Sequence, residues 1–256
     1  MSESIAPAHD PNTWGPALDE AVNALGRGQV IVLPTDTVYG IGADAFNPDA
    51  VAALLAAKGR GRQMPPPVLV GSLATLDALA TEVPEPARAL AEKFWPGGLT
   101  IIFKAQPSLA WDLGETHGTV ALRMPDHPTA LALLNRTGPL AVSSANKTGQ
   151  PAAFTAREAY VQLGNSVATY LDGGQVPGGV SSTIVDATGP YLRVVRAGAL
   201  SIEELRTVTH VFDLGEEPVN AEAPQTHEAA GNHTESSENS TNTTGPDNGT
   251  EAAKTE

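Results

Sequence analysis

Val30-Ile31-Val32-Leu33-Pro34-Thr35-Asp36-Thr37-Val38-Tyr39-Gly40-Ile41-Gly42 is the stretch whose reading decides the fold. Val30–Leu33 is short, continuous and aliphatic, which predicts a buried strand. It leads into a loop carrying two threonines and two glycines. Threonine hydroxyls both donate and accept hydrogen bonds, and glycines let a ligand come close to the backbone. In α/β proteins ligands bind where strands end. Taken alone, the same loop reads equally well as a Thr/Gly-rich turn between two strands.

Outward from this stretch, strand-like and helix-like segments alternate. Thr13 is placed to cap a helix running to about Arg27, with Gly28 as its stop. Asn47-Pro48 sets a cap before a proline at the first helical position, and that helix runs through Val51, Leu54 and Leu55. A basic, proline-rich connection over 58–67 leads to a strand near 68–70. Helices are predicted at 73–80 and 85–94, a turn at Trp95-Pro96-Gly97-Gly98, and a strand from Leu99 to Phe103. Val120-Ala121-Leu122 is a short strand ending at Arg123. Asp126 is read as the cap of a helix to about Arg136, and Leu140-Ala141-Val142 is a strand entering a serine loop. Thr155–Glu158 and Ser201–Glu204 have the spacing of capping boxes. Strands are predicted near 168–171, 182–186 and 191–195. The loop 172–181, with four glycines and a proline, is expected to be mobile. The alternation predicts an α/β sandwich with a mixed sheet flanked by helices, in a single domain.

Composition sets the boundaries. After Leu214 the chain turns to Glu, Asn, Thr, Ser, Gly and Pro, with Val219 its last large aliphatic residue. Such a segment cannot bury enough apolar surface to offset its ordering entropy. The reading is a flexible N-terminus at 1–12, a folded body at 13–212 and an acidic, disordered tail at 213–256. The formal charge of −14 belongs mostly to that tail. From Asp213 onward ten acidic residues face Lys254 alone, net −9, and residues 1–212 hold 19 acidic and 14 basic residues, net −5. The body therefore lacks the strongly basic character of a dedicated nucleic-acid binder, while local basic patches leave weak RNA contact open. With no cysteine, disulfides, thiol nucleophiles and thiolate metal sites are excluded. Met1–Asn12 lacks the pattern of a signal peptide, and no apolar run approaches the length of a membrane span. The expected location is cytoplasmic, away from membranes. The six histidines are scattered, so no protein-held metal is expected, and neither a P-loop nor a Ser-His-Asp set is present.

Three further blocks carry chemistry. Lys58-Gly59-Arg60-Gly61-Arg62 sets three cations among glycines, which suits a polyphosphate; alone it is a solvated basic loop. Thr119-Val120-Ala121-Leu122-Arg123-Met124-Pro125 leaves Arg123 at a strand end, able to grip a carboxylate bidentately; alone it is a surface arginine. Ser143-Ser144-Ala145-Asn146-Lys147-Thr148-Gly149 offers hydroxyls and an amide to phosphate or ribose oxygens. Ser182 and Arg196 flank the last two strands. Thr155 is explained by its helix cap.

Together with the Thr35–Gly42 loop, these blocks, in this order, closely resemble the YrdC-like family of threonylcarbamoyl-AMP synthases in its short, single-domain form. The resemblance runs from about Gln29 to Arg196. It implies a YrdC-like twisted mixed sheet flanked by helices. It implies the reaction of ATP, L-threonine and bicarbonate to threonylcarbamoyl-AMP and diphosphate, for threonylcarbamoyladenosine in tRNA, with partner proteins completing the modification. Carried over by resemblance, Lys58 and Arg60 bind the ATP phosphates and support catalysis, with Arg62 as a helper. Thr37, Arg123 and Ser182 hold threonine. Thr119, Ser144, Asn146, Thr155 and Arg196 lie on the nucleotide side, and Mg2+ accompanies ATP. The chain departs from the family where many relatives read Asn-Pro-Leu followed by Val-His-Val. Here those positions are Met64-Pro65-Pro66 and Val68-Leu69-Val70, so a polar contact to substrate is lost or supplied elsewhere. Two other classes stand beside the synthase. One is a nucleotide- or RNA-binding paralogue without synthase activity, which loss of the Lys58/Arg60 and Ser144/Asn146 set would favour. The other is a carbamoyl-transfer module of hydrogenase maturation, which would bring zinc-finger cysteines that are absent here.

Overall fold

The aliphatic run forms a strand, β2 (Ile31–Leu33), with all three side chains buried. The computed structural model describes residues 5–177 and 179–217; the expected tail from 218 onward lies outside the described residues. Before β2 come β1 (Ile5–Pro7) and α1 (Gly15–Gly26). After it follow β3 (Gly40–Asp44), α2 (Pro48–Lys58), β4 (Val68–Leu69), α3 (Thr75–Leu79), β5 (Ala80–Thr81), α4 (Glu85–Phe94) and β6 (Leu99–Ala105). The chain continues through β7 (Thr119–Arg123), α5 (Pro128–Thr137), β8 (Leu140–Ser144), α6 (Ala156–Leu163), β9 (Thr169–Asp172), β10 (Thr183–Asp186), β11 (Arg193–Arg196) and α7 (Ile202–Arg206). The eleven strands form one sheet in the order β1-β9-β2-β3-β8-β4-β7-β6-β10-β11, with β5 paired to β6. It is mixed: β2 is parallel to β9 and antiparallel to β3, and β7 is parallel to β4 and antiparallel to β6.

Side-chain alternation along the strands gives the sheet two faces. One face carries the larger core. Leu54 and Leu55 of α2, Leu90 of α4, Leu163 of α6 and Leu205 of α7 pack there with Val32, Ile41, Val68, Ile101 and Leu122 from the strands. The other face is covered only in part. Leu18 and Leu25 of α1 and Leu133 of α5 pack on Ile31, Leu33, Leu69, Leu140 and Val142. Two helices reach no further, so β6, β7 and β10 keep a stretch of open sheet surface, and this stretch becomes the floor of the site.

Local chemistry explains the best-defined element. The Asn47 side chain accepts from the N–H groups of Asp49 and Ala50, each at 3.1 Å, Pro48 opens α2, and Gly59 closes it with a left-handed φ of 61°. Elsewhere the sequence reading is corrected. Thr13 does not cap α1: Trp14 holds that position without a side-chain bond, and the helix opens on Gly15 with Pro16 in its first turn. Asp126 does not cap α5, which begins at Pro128 after His127; the Asp126 N–H instead donates to Asp36 Oδ1 at 3.0 Å. Thr155 does cap α6, accepting from Glu158 N–H, but the Glu158 carboxylate accepts from Phe154, one residue before the cap. Only Ser201–Glu204 forms the full reciprocal box. The segment 5–7, read as part of a flexible N-terminus, is a strand parallel to β9. The loop 172–181 is fastened near its start: Tyr39 Oη donates to Gly174 O at 2.6 Å, and Val176 is buried.

Candidate functional site

A cavity of about 290 Å³ lies on the open stretch of sheet. Thr119, Ala121 and Arg123 alternate along β7 on its floor, beside Thr100 and Ile102 of β6 and Ile184 of β10. Loops wall it in: Thr35–Gly40, Pro65–Pro67, Leu113 and Thr116, Ser143–Ser144, and Ser181–Ser182. Arg60 enters just beyond α2 and Arg196 from the end of β11. Among the described residues, none that lines the cavity is acidic.

One end is built around Arg123, which is only 7% exposed. Its Nε donates to Gly97 O at 2.9 Å, Nη1 to Thr37 Oγ1 at 2.9 Å and Nη2 to Asp36 Oδ1 at 2.6 Å. A guanidinium has five N–H groups, so one on each terminal nitrogen remains for a ligand. Burial works against its charge and Asp36 works for it; the guanidinium keeps its proton in either case. Thr35 Oγ1 donates to Val38 O at 2.6 Å, lies 3.1 Å from Thr37 Oγ1, and accepts from Thr37 N–H. The loop that opened the sequence reading is thus a set of fixed hydroxyls around an arginine.

Beside it stand two more guanidinium groups. Arg196 donates through Nε and Nη2 to Ser182 O, and through Nη2 to Ser182 Oγ at 2.9 Å; Ser182 Oγ is 2.8 Å from Thr100 Oγ1. Arg60 Nη1 donates to Ser143 Oγ at 3.0 Å, and its buried Nε finds no partner among the described residues. Desolvation lowers the pKa of both, and Arg196 also feels Arg123 and Arg60. Arg123 already has Asp36 as its counter-ion, whereas Arg60 and Arg196 have no acidic partner among the described residues, and these two charges create the demand for an anion. The end toward Thr119 is different. Leu113, Ile102, Val120 and Ile184 make it apolar, with Thr116 and Thr119 as its polar rim. Thr119 and Arg123 are four strand residues apart, roughly 13 Å.

The cavity therefore brings together Thr37, Arg60, Thr119, Arg123, Ser144, Ser182 and Arg196. It does not include three other expected residues. Lys58 is 3% exposed, and its Nζ donates to Ser144 O and to Asn146 O, the latter at 2.7 Å. Asn146 is buried in its own loop. Thr155 remains at its helix cap. Arg62 is exposed and holds Asp112 at 2.8 and 3.0 Å, so it is not in the lining. Sequence reasoning missed Thr100, Leu113, Thr116 and Ser181. Thr100 was visible in principle as a polar residue alternating with Leu99 and Ile101; the loop residues carried no periodic signal. Leu69, one of the positions read as departing from the family pattern, does line the cavity and is paired in register with Arg123. Among the described residues no group of three or more His, Asp or Glu side chains is placed to hold a metal, and no helix is long and apolar enough to cross a membrane.

The Sua5/YciO/YrdC family model, described as telomere recombination, matches residues 23–198. A Mycobacterium tuberculosis H37Rv protein, provisionally named a threonylcarbamoyl-AMP synthase, is 53% identical over 79% of this chain and 93% of its own length. The Bacillus subtilis threonylcarbamoyl-AMP synthase is 37% identical over 85% of this chain and 66% of its own length. Among solved structures, Pyrococcus abyssi Sua5 complexed with L-threonine superposes with a TM-score of 0.75 at 34% identity, covering 83% of this chain and 61% of that one. The chain thus spans nearly the full mycobacterial relative but under two thirds of the archaeal protein. Escherichia coli YciO, at 24% identity and a TM-score of 0.72, shares the fold.

Proposed function

The chain belongs to the Sua5/YciO/YrdC family, and we propose that it makes L-threonylcarbamoyl-AMP from ATP, L-threonine and bicarbonate. The observation that carries this reading is the polarity of the cavity along β7. At one end Arg123 presents two unused N–H groups among threonine hydroxyls, a fit to an amino-acid carboxylate. Arg60 and Arg196 add charge suited to phosphates. An apolar pocket at the Thr119 end suits a purine nucleoside.

In this reading threonine's amine combines with bicarbonate to give a carbamate and water. A carbamate oxygen then attacks the α-phosphorus: the new O–P bond forms as the bond to the bridging oxygen breaks, and the electron pair leaves with diphosphate. Such a step needs alignment and charge neutralisation rather than a protein nucleophile. Arg123 would orient the threonine, with Thr37 and Ser182 around it, and Arg60, Arg196 and Ser144 would hold the phosphates. Among the described residues the lining has no carboxylate; in this reading ATP enters as its magnesium complex, with the ion on phosphates and water. The product is an activated carbamoyl donor, and in this reading tRNA-modification partners consume it.

The test is diphosphate release from magnesium-ATP with threonine or bicarbonate omitted in turn. Release that requires both, and that is lost in Arg60→Ala, supports the synthase. ATP binding without threonine-dependent release overturns it in favour of a non-catalytic nucleotide-binding relative.

A further inference from the structure

The four residues Lys58, Arg60, Ser144 and Asn146 do not share one task. Arg60 and Ser144 line the cavity, whereas Lys58 and Asn146 are absent from its lining. The Lys58 ammonium commits two of its three N–H groups to the backbone, donating to the carbonyls of Ser144 and Asn146, and the Lys58 carbonyl accepts from Thr148 N–H at 2.9 Å. Asn146, 8% exposed, directs Nδ2 to Lys147 O at 2.9 Å and to Gln150 O at 2.8 Å. Those two acceptors fix the amide, because a flipped amide would set its oxygen against two carbonyls. Asn146 Oδ1 is consequently left buried without a partner among the described residues. Lys58 thus stitches the segment 143–150 to the end of α2, and the Asn146 amide braces that segment from within. What they hold in place reaches the ligand: Ser143 Oγ accepts from Arg60, and Ser144 faces the cavity.

We propose that Lys58 is a positioning residue, which with Asn146 fixes the Ser143–Ser144 turn and through it Arg60, and that Lys58 does not itself contact the phosphates. This rests on the proposed function only in taking the cavity's anion to be a nucleotide phosphate. Two donors are needed for two carbonyls, and a neutral amine still has two. The arrangement therefore survives deprotonation, whereas a phosphate contact needs the charge. Lys58 is a good probe of this difference, since burial and the nearby Arg60 pull its pKa down to about 8.

Hydrogen exchange on the ligand-free full chain tests the positioning role whether or not ATP is the substrate. In Lys58→Met, amides within 143–150 should exchange at least about tenfold faster than in the wild type, and in Arg60→Met they should not. Unchanged exchange in a folded Lys58→Met overturns the proposal. Should that variant fail to fold, the wild type suffices: magnesium-ATP affinity is measured from about pH 7.5 to 9.5, where ATP itself no longer titrates. An affinity that stays within about twofold supports positioning. A loss approaching tenfold per unit above about pH 8 means that the ammonium touches the phosphates, and overturns it. Wild-type protein that binds no ATP would count against the synthase reading, and the exchange result would then decide the positioning role alone.

Discussion

At the scale of single residues, Asp36 holds the buried Arg123. Among the described residues it is the only acidic partner of that guanidinium, and its Oδ1 also accepts from Asp126 N–H. Removing one partner of a charge-assisted bond costs about 1.5–3 kcal/mol. In Asp36→Ala the KM for threonine should therefore rise roughly ten- to a hundredfold, with ATP binding in the absence of threonine changed by about twofold or less. An unchanged threonine KM would show that Arg123 is aimed by Gly97 and Thr37 alone. Lys58 supplies a second prediction. Its folded pKa, about 8, lies below its ordinary 10.5, chiefly through desolvation and then through Arg60. The unfolded chain binds more protons between those values, so stability rises with pH across the window from about 8 to 10.5, and the burial cost is fully present below it. Lys58→Met carries no such cost. Denaturant midpoints at about pH 7.5 and 10 should show the wild type gaining on the variant by on the order of 2 kcal/mol. A constant difference would mean that the ammonium is not desolvated.

At the scale of elements, the turn after β11 shows how tightly one loop governs another. A Cβ on Gly198 would sit 2.3 Å from Ser181 O and 2.4 Å from the Ser182 carbonyl carbon, so Ser181–Ser182 must retreat if one is added. Ser182 receives three of the Arg196 bonds. Gly198→Ala is expected to destabilise the fold by about 1–3 kcal/mol and to weaken ATP binding severalfold, measured by denaturation and by nucleotide titration. Loss of stability with unaltered nucleotide affinity would separate Arg196 from the phosphate site. The same scale explains what was legible in the sequence. Helix α2 was readable because Asn47, Pro48 and Gly59 act within one turn. Strand β1 was not, since its partner β9 lies more than 160 residues away in sequence. Strand β3 was hidden by its glycines. They are there because Val142 packs over them: a Cβ on Gly40 would lie 2.5 Å from Val142 Cγ1. Thr13 and Asp126 carry cap chemistry, but a proline in the first turn of each helix starts it one or two residues later.

At the scale of the whole molecule, the site exists because α1 and α5 cover only part of one sheet face. That incomplete cover depends on helix placement, which no local motif encodes. Several residues that line the cavity, by contrast, were picked out by the ordered blocks of the family resemblance, since Thr37, Arg60, Arg123, Ser144 and Arg196 sit at element ends that converge on one region. What could not be read was direction: whether a side chain faces the cavity, as Arg60 does, or the backbone, as Lys58 does.

The cavity volume carries a last consequence. At about 290 Å³ it is at the bottom of the range for ligand sites, about 300–1,000 Å³, yet it is proposed to take a nucleotide and an amino acid together. The pair is accommodated if part of it reaches past the cavity mouth or if a wall moves outward on binding. The wall with Leu113 is fastened to the Arg62 loop by the exposed Arg62–Asp112 pair and by Glu115 N–H on Arg62 O. An exposed pair contributes only about 0–1 kcal/mol, so this wall is cheap to open. Arg60 and Arg196 lie inside, where filling their demand for an anion stabilises the fold as a whole. Magnesium-ATP at a hundred times its Kd adds about 2.7 kcal/mol, which for a body of this size raises Tm by roughly 5–10 °C. Adenosine, with no phosphate to meet Arg60 and Arg196, is expected to give a far smaller shift, and threonine added to ATP a further increase. Thermal unfolding with each ligand measures all three. Equal shifts from adenosine and ATP would mean that the apolar end binds alone and the guanidinium cluster serves some other anion.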